Sequence, residues 1–184
     1  MRTIASGMFM SLDGVVQADD DWQFAYFDDE LFASITAAWD GADTAVMGRR
    51  SYEGYRSLRE HHLDSPMLGF LDGVDRYVLS TTMSDPQWPG TTVLSTDPFA
   101  RLEELRNHSG ADILVAGSPS VVRELLVRKM LDQLNVTVLP IVVGHGDRLF
   151  PESSDGLFDR LRLELHSSRV LGSGAIESSY RPVR

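Results

Sequence analysis

The chain has 184 residues, no cysteine and a net charge of −10. That length fits one domain, 1–184, able to bury a core without cross-links, and the missing cysteine excludes disulfides, thiolate catalysis and cysteine-ligated metals. The acidic balance disfavours nucleic acid, no segregated basic face is present, and a phosphate-rich ligand would need a local patch of arginine and backbone N–H groups.

In chain order, residues Thr3–Met10 read as an apolar strand that stops at the turn Asp13-Gly14. Asp28-Asp29-Glu30 opens a helix whose acidic first turn suits the positive end of its dipole. Leu31, Phe32, Ile35 and Trp39 share one face of it, and Gly41 closes it. Ala42–Met47 reads as a buried strand, followed by Gly48-Arg49-Arg50-Ser51 and a short helix from about Tyr52. His61–Phe70 has no clean period and reads as a loop with an indistinct helical turn. Arg76–Ser80 and Thr91–Ser95 are further strands. Asp97-Pro98 starts a helix as N-cap and N1, with Gly110 at its end. Asp112–Ala116 is a buried strand, and Gly117-Ser118-Pro119 leads into a helix with Ser118 placed as its N-cap. Asp132–Val143 reads as a longer strand interrupted at Pro140, which suggests an edge or a bulge. Leu161–Ser168 and Ala175–Pro182 are two last strands joined by Gly172-Ser173-Gly174. The alternation predicts an α/β domain with a mostly parallel sheet and an antiparallel C-terminal edge.

Met1-Arg2-Thr3-Ile4 does not read as a secretion signal. No stretch approaches the roughly 20 apolar residues of a bilayer span, so the expected location is the cytoplasm, without a membrane partner.

Two strand-to-helix turns stand out; each alone fits an ordinary turn with solvated arginines, but two in one small acidic domain point to a ligand. In Met47-Gly48-Arg49-Arg50-Ser51, a glycine admits a ligand close to the backbone, a helix start offers N–H donors, and two arginines suit phosphate. Ala116-Gly117-Ser118-Pro119-Ser120 repeats the pattern with hydroxyls. Ligands of open α/β sheets bind at the carboxyl ends of strands, where both turns lie. There is no G-x-S-x-G elbow, Walker A sequence or G-x-G-x-x-G, and the histidines lack zinc spacing. His145 reads as a solvated loop residue and Asp13 as a turn residue. Trp22, Phe24, Tyr26 and Phe27 read as core or rim packing.

The order of these motifs resembles the dihydrofolate reductase-like superfamily, in the branch that includes the riboflavin-biosynthesis reductase domain. The resemblance runs through Ser11-Leu12-Asp13-Gly14, Met47-Gly48-Arg49-Arg50-Ser51-Tyr52-Glu53, Tyr77-Val78-Leu79-Ser80-Thr81 and Ile113-Leu114-Val115-Ala116-Gly117-Ser118. It is most specific in Leu131-Asp132-Gln133-Leu134 and in Leu139-Pro140-Ile141-Val142-Val143-Gly144-His145-Gly146-Asp147-Arg148-Leu149-Phe150, and it departs at Gln133, where the family pattern has glutamate. It implies NADPH as hydride donor, with Arg49, Ser80 and Thr81 at the 2′-phosphate. Gly48, Arg50 and Ser51 would meet the other phosphates from one side, and Gly117, Ser118 and Ser120 from the other. It also implies a homodimer and reduction of a small pteridine- or pyrimidine-like heterocycle. Asp28 or Asp29, one or two positions late after Trp22, stands where dihydrofolate reductases carry a substrate carboxylate, although helix capping explains both. The alternative is a dimeric nucleotide-binding module of this fold without turnover.

Overall fold

The computed structural model describes residues 1–17, 22–61, 66–151 and 160–183. Its main sheet comprises β1 (Ile4–Ser11), β3 (Ala42–Gly48), β4 (Asp75–Leu79), β5 (Thr91–Leu94), β6 (Asp112–Ala116), β7 (Gln133–Leu139), β9 (Leu163–Val170) and β10 (Ile176–Pro182). Their order is β5-β4-β3-β6-β1-β7-β10-β9, while the short strands β2 (Val15–Gln17) and β8 (Asp147–Arg148) pair separately. The first six strands in that order are parallel, and β10 and β9 add an antiparallel edge. The expected mostly parallel α/β sheet with antiparallel C-terminal strands is therefore present.

Strand alternation sends successive side chains to opposite faces. Ile4, Met8, Val46, Ile113 and Val115 face α4 (Pro98–Asn107) and α5 (Pro119–Val127), meeting Leu102, Val122 and Leu125 in the largest core. Ala45, Met47, Val78 and Ala116 face α2 (Arg49–His61) and α3 (Pro66–Gly73), meeting Tyr52, Leu68 and Leu71. On that second side α1 (Asp29–Trp39) buries Leu31 against Leu139, Leu171 and Ala175. Trp39 of α1 also contacts Phe70 of α3, ring centroids 5.1 Å apart. At the amino ends of the strands, Asp132 accepts from Ile4 N at 2.9 Å and from Arg106 Nη2 at 2.6 Å, tying α4, β1 and the start of β7 together.

Several boundaries differ from expectation. α2 starts at Arg49, directly after β3, rather than near Tyr52, because no breaker follows Gly48. Part of the expected loop at His61–Phe70 is the helix α3; residues 62–65 lie outside the described residues. α1 ends at Trp39 with Asp40 as C-cap, so Gly41 directly follows the cap as expected, whereas α4 ends at Asn107 with His108 as C-cap, two residues ahead of Gly110. The strand expected over Asp132–Val143 ends at Leu139, before Pro140, and β7 is no edge. It lies between β1 and β10, hydrogen-bonded on both sides, and among the described residues the sheet's two edge strands are β5 and β9. The edge position expected of Asp132–Val143 is thereby corrected. No helix among the described residues is long and apolar enough to cross a membrane.

Candidate functional site

Parallel register brings the two glycine turns together. β3 pairs with β6 through Val46 and Val115, so Gly48 and Gly117 leave adjacent carboxyl ends. Gly48 N donates to Ser118 Oγ at 2.9 Å, and that hydroxyl donates onward to Ala116 O at 3.2 Å. Ser118 is thus the residue before α5, as expected, but its side chain makes no cap bond; it bridges the two turns instead. Gly117 and Ser118 have φ of +58° and +63°, consecutive left-handed residues. Such a conformation costs a non-glycine residue about 1–2 kcal/mol, so the two Ser118 hydrogen bonds offset local strain. A Cβ on Gly117 would sit 3.2 Å from Tyr55 Oη and 3.3 Å from Ser51 Oγ, so the turn also needs glycine for space.

Beside these turns lies a cavity of about 400 Å³. Its floor is Gly7–Phe9 of β1 and Leu114–Ala116 of β6, and a Cβ on Gly7 would meet nothing within 4 Å. Trp39 of α1, Tyr55 and Leu58 of α2 and Met67 of α3 wall it. Phe24, Phe27, Gln17 and Gln23 form the rim, and Arg50, Ser51, Gly117 and Ser118 stand at the mouth. Of the aromatic run, Trp22, Tyr26 and Phe27 pack on the α1 core, and Phe24 and Phe27 line the cavity, with Phe27 4.9 Å from the Phe9 ring.

The first turn of α2 is electrostatically unusual. A helix N-terminus favours anions, yet this one carries Arg49 and Arg50 and no acidic residue. α1 follows the ordinary rule, with Asp29 and Glu30 in its first turn. Arg49 finds Glu53 at 3.8 Å and Arg50 finds Asp147 at 3.1 Å, both in exposed pairs of little energetic weight. The cations at this helix start are compensated only at the surface.

Ser80 and Thr81 follow β4, whose Leu79 is the register partner of Gly48, so Arg49 and Ser80 leave adjacent strands. Ser80 Oγ accepts from Met83 N at 3.0 Å and Thr81 is exposed. Arg49, Ser80, Thr81 and the exposed Ser120 lie outside the cavity lining. So do Asp28 and Asp29: both are exposed, and Asp28 accepts from Leu31 N at 2.8 Å as the N-cap of α1. His145 is exposed, with Nδ1 3.1 Å from Val143 O.

Asp13 does more than turn the chain. Its carboxylate accepts from Ser11 Oγ at 2.7 Å, Val143 N at 3.0 Å and Gly144 N at 2.9 Å, latching the β1 exit to the segment before β8. The Ser11 hydroxyl and then these backbone bonds hold its pKa at about 2, against an ordinary 3.8. The sequence alone gave no sign of Tyr55 or Asp147. With α2 starting at Arg49, Ser51, Gly54, Tyr55 and Leu58 fall at i, i+3, i+4 and i+7 on one face, the periodic signal that a later helix start conceals.

Sheet order, helix placement and the cleft at the parallel strand ends are those of the dihydrofolate reductase-like fold. The family model of the RibD C-terminal domain matches residues 2–176, and the chain belongs to that family. It is 26% identical over 174 residues to the uncharacterized protein YwjB of Bacillus subtilis (strain 168), covering 93% of this chain and 92% of that one. A crystal structure from Shewanella sp. PV-4, whose name links it to riboflavin biosynthesis, superposes with a TM-score of 0.80 at 20% identity, covering 99% of both chains. Dihydrofolate reductase from Enterococcus faecalis, complexed with NADP(H) and RAB-propyl, gives a TM-score of 0.65 at 17% identity, covering 99% of this chain and 97% of that one.

Proposed function

We propose that the protein is a cytoplasmic, homodimeric, NADPH-dependent reductase of a small pteridine- or pyrimidine-like heterocycle. The observation that carries this reading is the first turn of α2: two arginines and no carboxylate, beside the left-handed Gly117–Ser118 turn, with Arg50 at the mouth of an apolar-floored cavity. Backbone N–H groups of a helix start and guanidinium forks together suit a dinucleotide's phosphates. Gly117 leaves a cradle that a Cβ would fill, so the residues present fit the cofactor. Arg49, with Ser80 and Thr81 across the adjacent strand end, would hold the 2′-phosphate. Arg50 and Ser51 on one side and Gly117, Ser118 and Ser120 on the other would hold the pyrophosphate, with Gly48 fixing the turn between them. When bound, the dinucleotide supplies hydride. The protein's part is to seat both rings over the Gly7–Phe9 floor and to exclude water. The dimer is supported by the open edge β9 with exposed Leu165 and Val170, since exposed apolar edges invite pairing.

A second reading, nucleotide binding without turnover, is favoured by one observation: among the described residues no carboxylate or histidine lines the cavity. The deciding experiment is NADPH oxidation measured across pterins, pyrimidines and flavin precursors, with light scattering for the dimer. Turnover on any of these supports the reductase; NADPH binding with no turnover supports the module; absence of NADPH binding refutes both.

A further inference from the structure

α2 presents two tyrosines with different fates. Tyr52 is 2% exposed, and its hydroxyl accepts from Trp88 N at 3.0 Å, a structural bond. Tyr55 lines the cavity, and its hydroxyl stands beside Ser51 and Gly117 with no hydrogen bond from any described residue. The residue is half-buried, and its hydroxyl is open to the cavity as a hydrogen-bond donor that no described residue uses. We propose that the Tyr55 hydroxyl positions the substrate, donating a hydrogen bond to a carbonyl oxygen of a neutral, planar heterocycle seated in the cavity. This assignment rests on the reductase reading.

Burial pushes the Tyr55 phenol up to about 12, so it remains a protonated donor across the neutral range. The other lining groups able to bond a ring edge, Gln17, Gln23 and Ser51, are neutral. The charged side chain among the described lining residues is Arg50, a cation. A ring carrying a protonated amidine would enter beside that guanidinium without a counter-ion, an unfavourable arrangement in a partly desolvated site. A lactam-type ring presents acceptors to Tyr55 and amide edges to the glutamines. Tyr55 therefore selects for ring chemistry distinct from that of a carboxylate-reading site.

Two pteridines of one shape test this: lumazine, a neutral dione, and 2,4-diaminopteridine, which protonates on its amidine. Each is titrated into the wild-type protein and Tyr55→Phe, with and without NADPH, and NADPH is titrated alone; thermal melts check that Tyr55→Phe folds. The expected result is tighter binding of lumazine than of the diamine by wild type. Tyr55→Phe should lose roughly three- to tenfold in lumazine affinity, the scale of one neutral hydrogen bond, with the diamine and NADPH unaffected. Unchanged lumazine affinity in Tyr55→Phe, no lumazine binding at all, or preference for the diamine overturns the assignment. Loss of NADPH affinity in place of lumazine affinity also overturns it, moving the hydroxyl to the cofactor. The expected lumazine pattern in a protein that binds no NADPH leaves Tyr55 in its role and overturns the reductase reading instead.

Discussion

Replacing Arg49 by alanine separates two effects of opposite sign. A cation in the first turn of a helix costs about 0.3–1 kcal/mol against the macrodipole. The Glu53 pair, at 3.8 Å and half-exposed on both sides, returns about 0.3–0.5 kcal/mol. Arg49→Ala should therefore leave the unliganded protein as stable as wild type or more stable by about 0.5 kcal/mol, seen as an unchanged or slightly raised urea midpoint. Binding should move the other way. A charge-assisted bond to the 2′-phosphate contributes about 1.5–3 kcal/mol, from which about 0.5 is subtracted for the displaced Glu53. NADPH affinity should then fall roughly five- to seventyfold while NADH affinity holds. Trp39 lines the cavity, so quenching of tryptophan fluorescence reports the titration. The reasoning is refuted if wild type binds NADH as tightly as NADPH. It is equally refuted if Arg49→Ala loses more than about 1 kcal/mol of stability with NADPH affinity unchanged.

Two other outcomes are expected. Asp13 has a folded pKa of about 2 against an ordinary 3.8, so its latch stabilises fully above pH 3.8 and is lost as pH falls toward 2. Asp13→Asn should flatten that part of the pH dependence in urea melts, and an unchanged acid limb would remove the latch as its cause. Asp28→Asn should preserve both stability and any turnover, because asparagine caps a helix as aspartate does, whereas Asp28→Ala should cost about 0.5–2 kcal/mol. Turnover lost in Asp28→Asn or Asp29→Asn at wild-type stability would restore a carboxylate to the chemistry.

The parallel sheet was legible because its strands are short apolar runs separated by helical periodicity and ended by glycine. β6 falls on the expected residues, Asp112–Ala116, and α4 starts at the expected Asp97-Pro98 cap. The Pro140 break was legible as an interruption, but not its meaning. Pro140 follows the end of β7, and the strand lies inside the sheet because β10 returns to cover it, a long-range pairing that local pattern does not encode. The site was half legible. Glycine, arginine and serine at two strand ends were visible, and parallel register brings Gly48, Ser51, Gly117 and Ser118 together. The Ser118 hydroxyl was read as a cap because its local sequence is that of a cap; the bond it makes instead, to Gly48 N, spans 70 residues.

The start of α2 explains why part of the site escaped the sequence. Arginines in a first helical turn oppose the dipole, so the electrostatic signals argue for a later start. Tertiary structure overrides them: β3 delivers Gly48 straight into the helix, and Glu53 and Asp147 partly neutralise the two cations from the surface. The same conflict marks the function. On the proposed reading, a chain of net charge −10 that places two arginines, paired only at the surface, at one helix start gives up local stability for affinity toward an anion. On this argument the paired carboxylates are placeholders. Glu53 and Asp147 hold the two guanidiniums in exposed pairs weak enough for a phosphate to displace, and would leave the arginines already oriented for it.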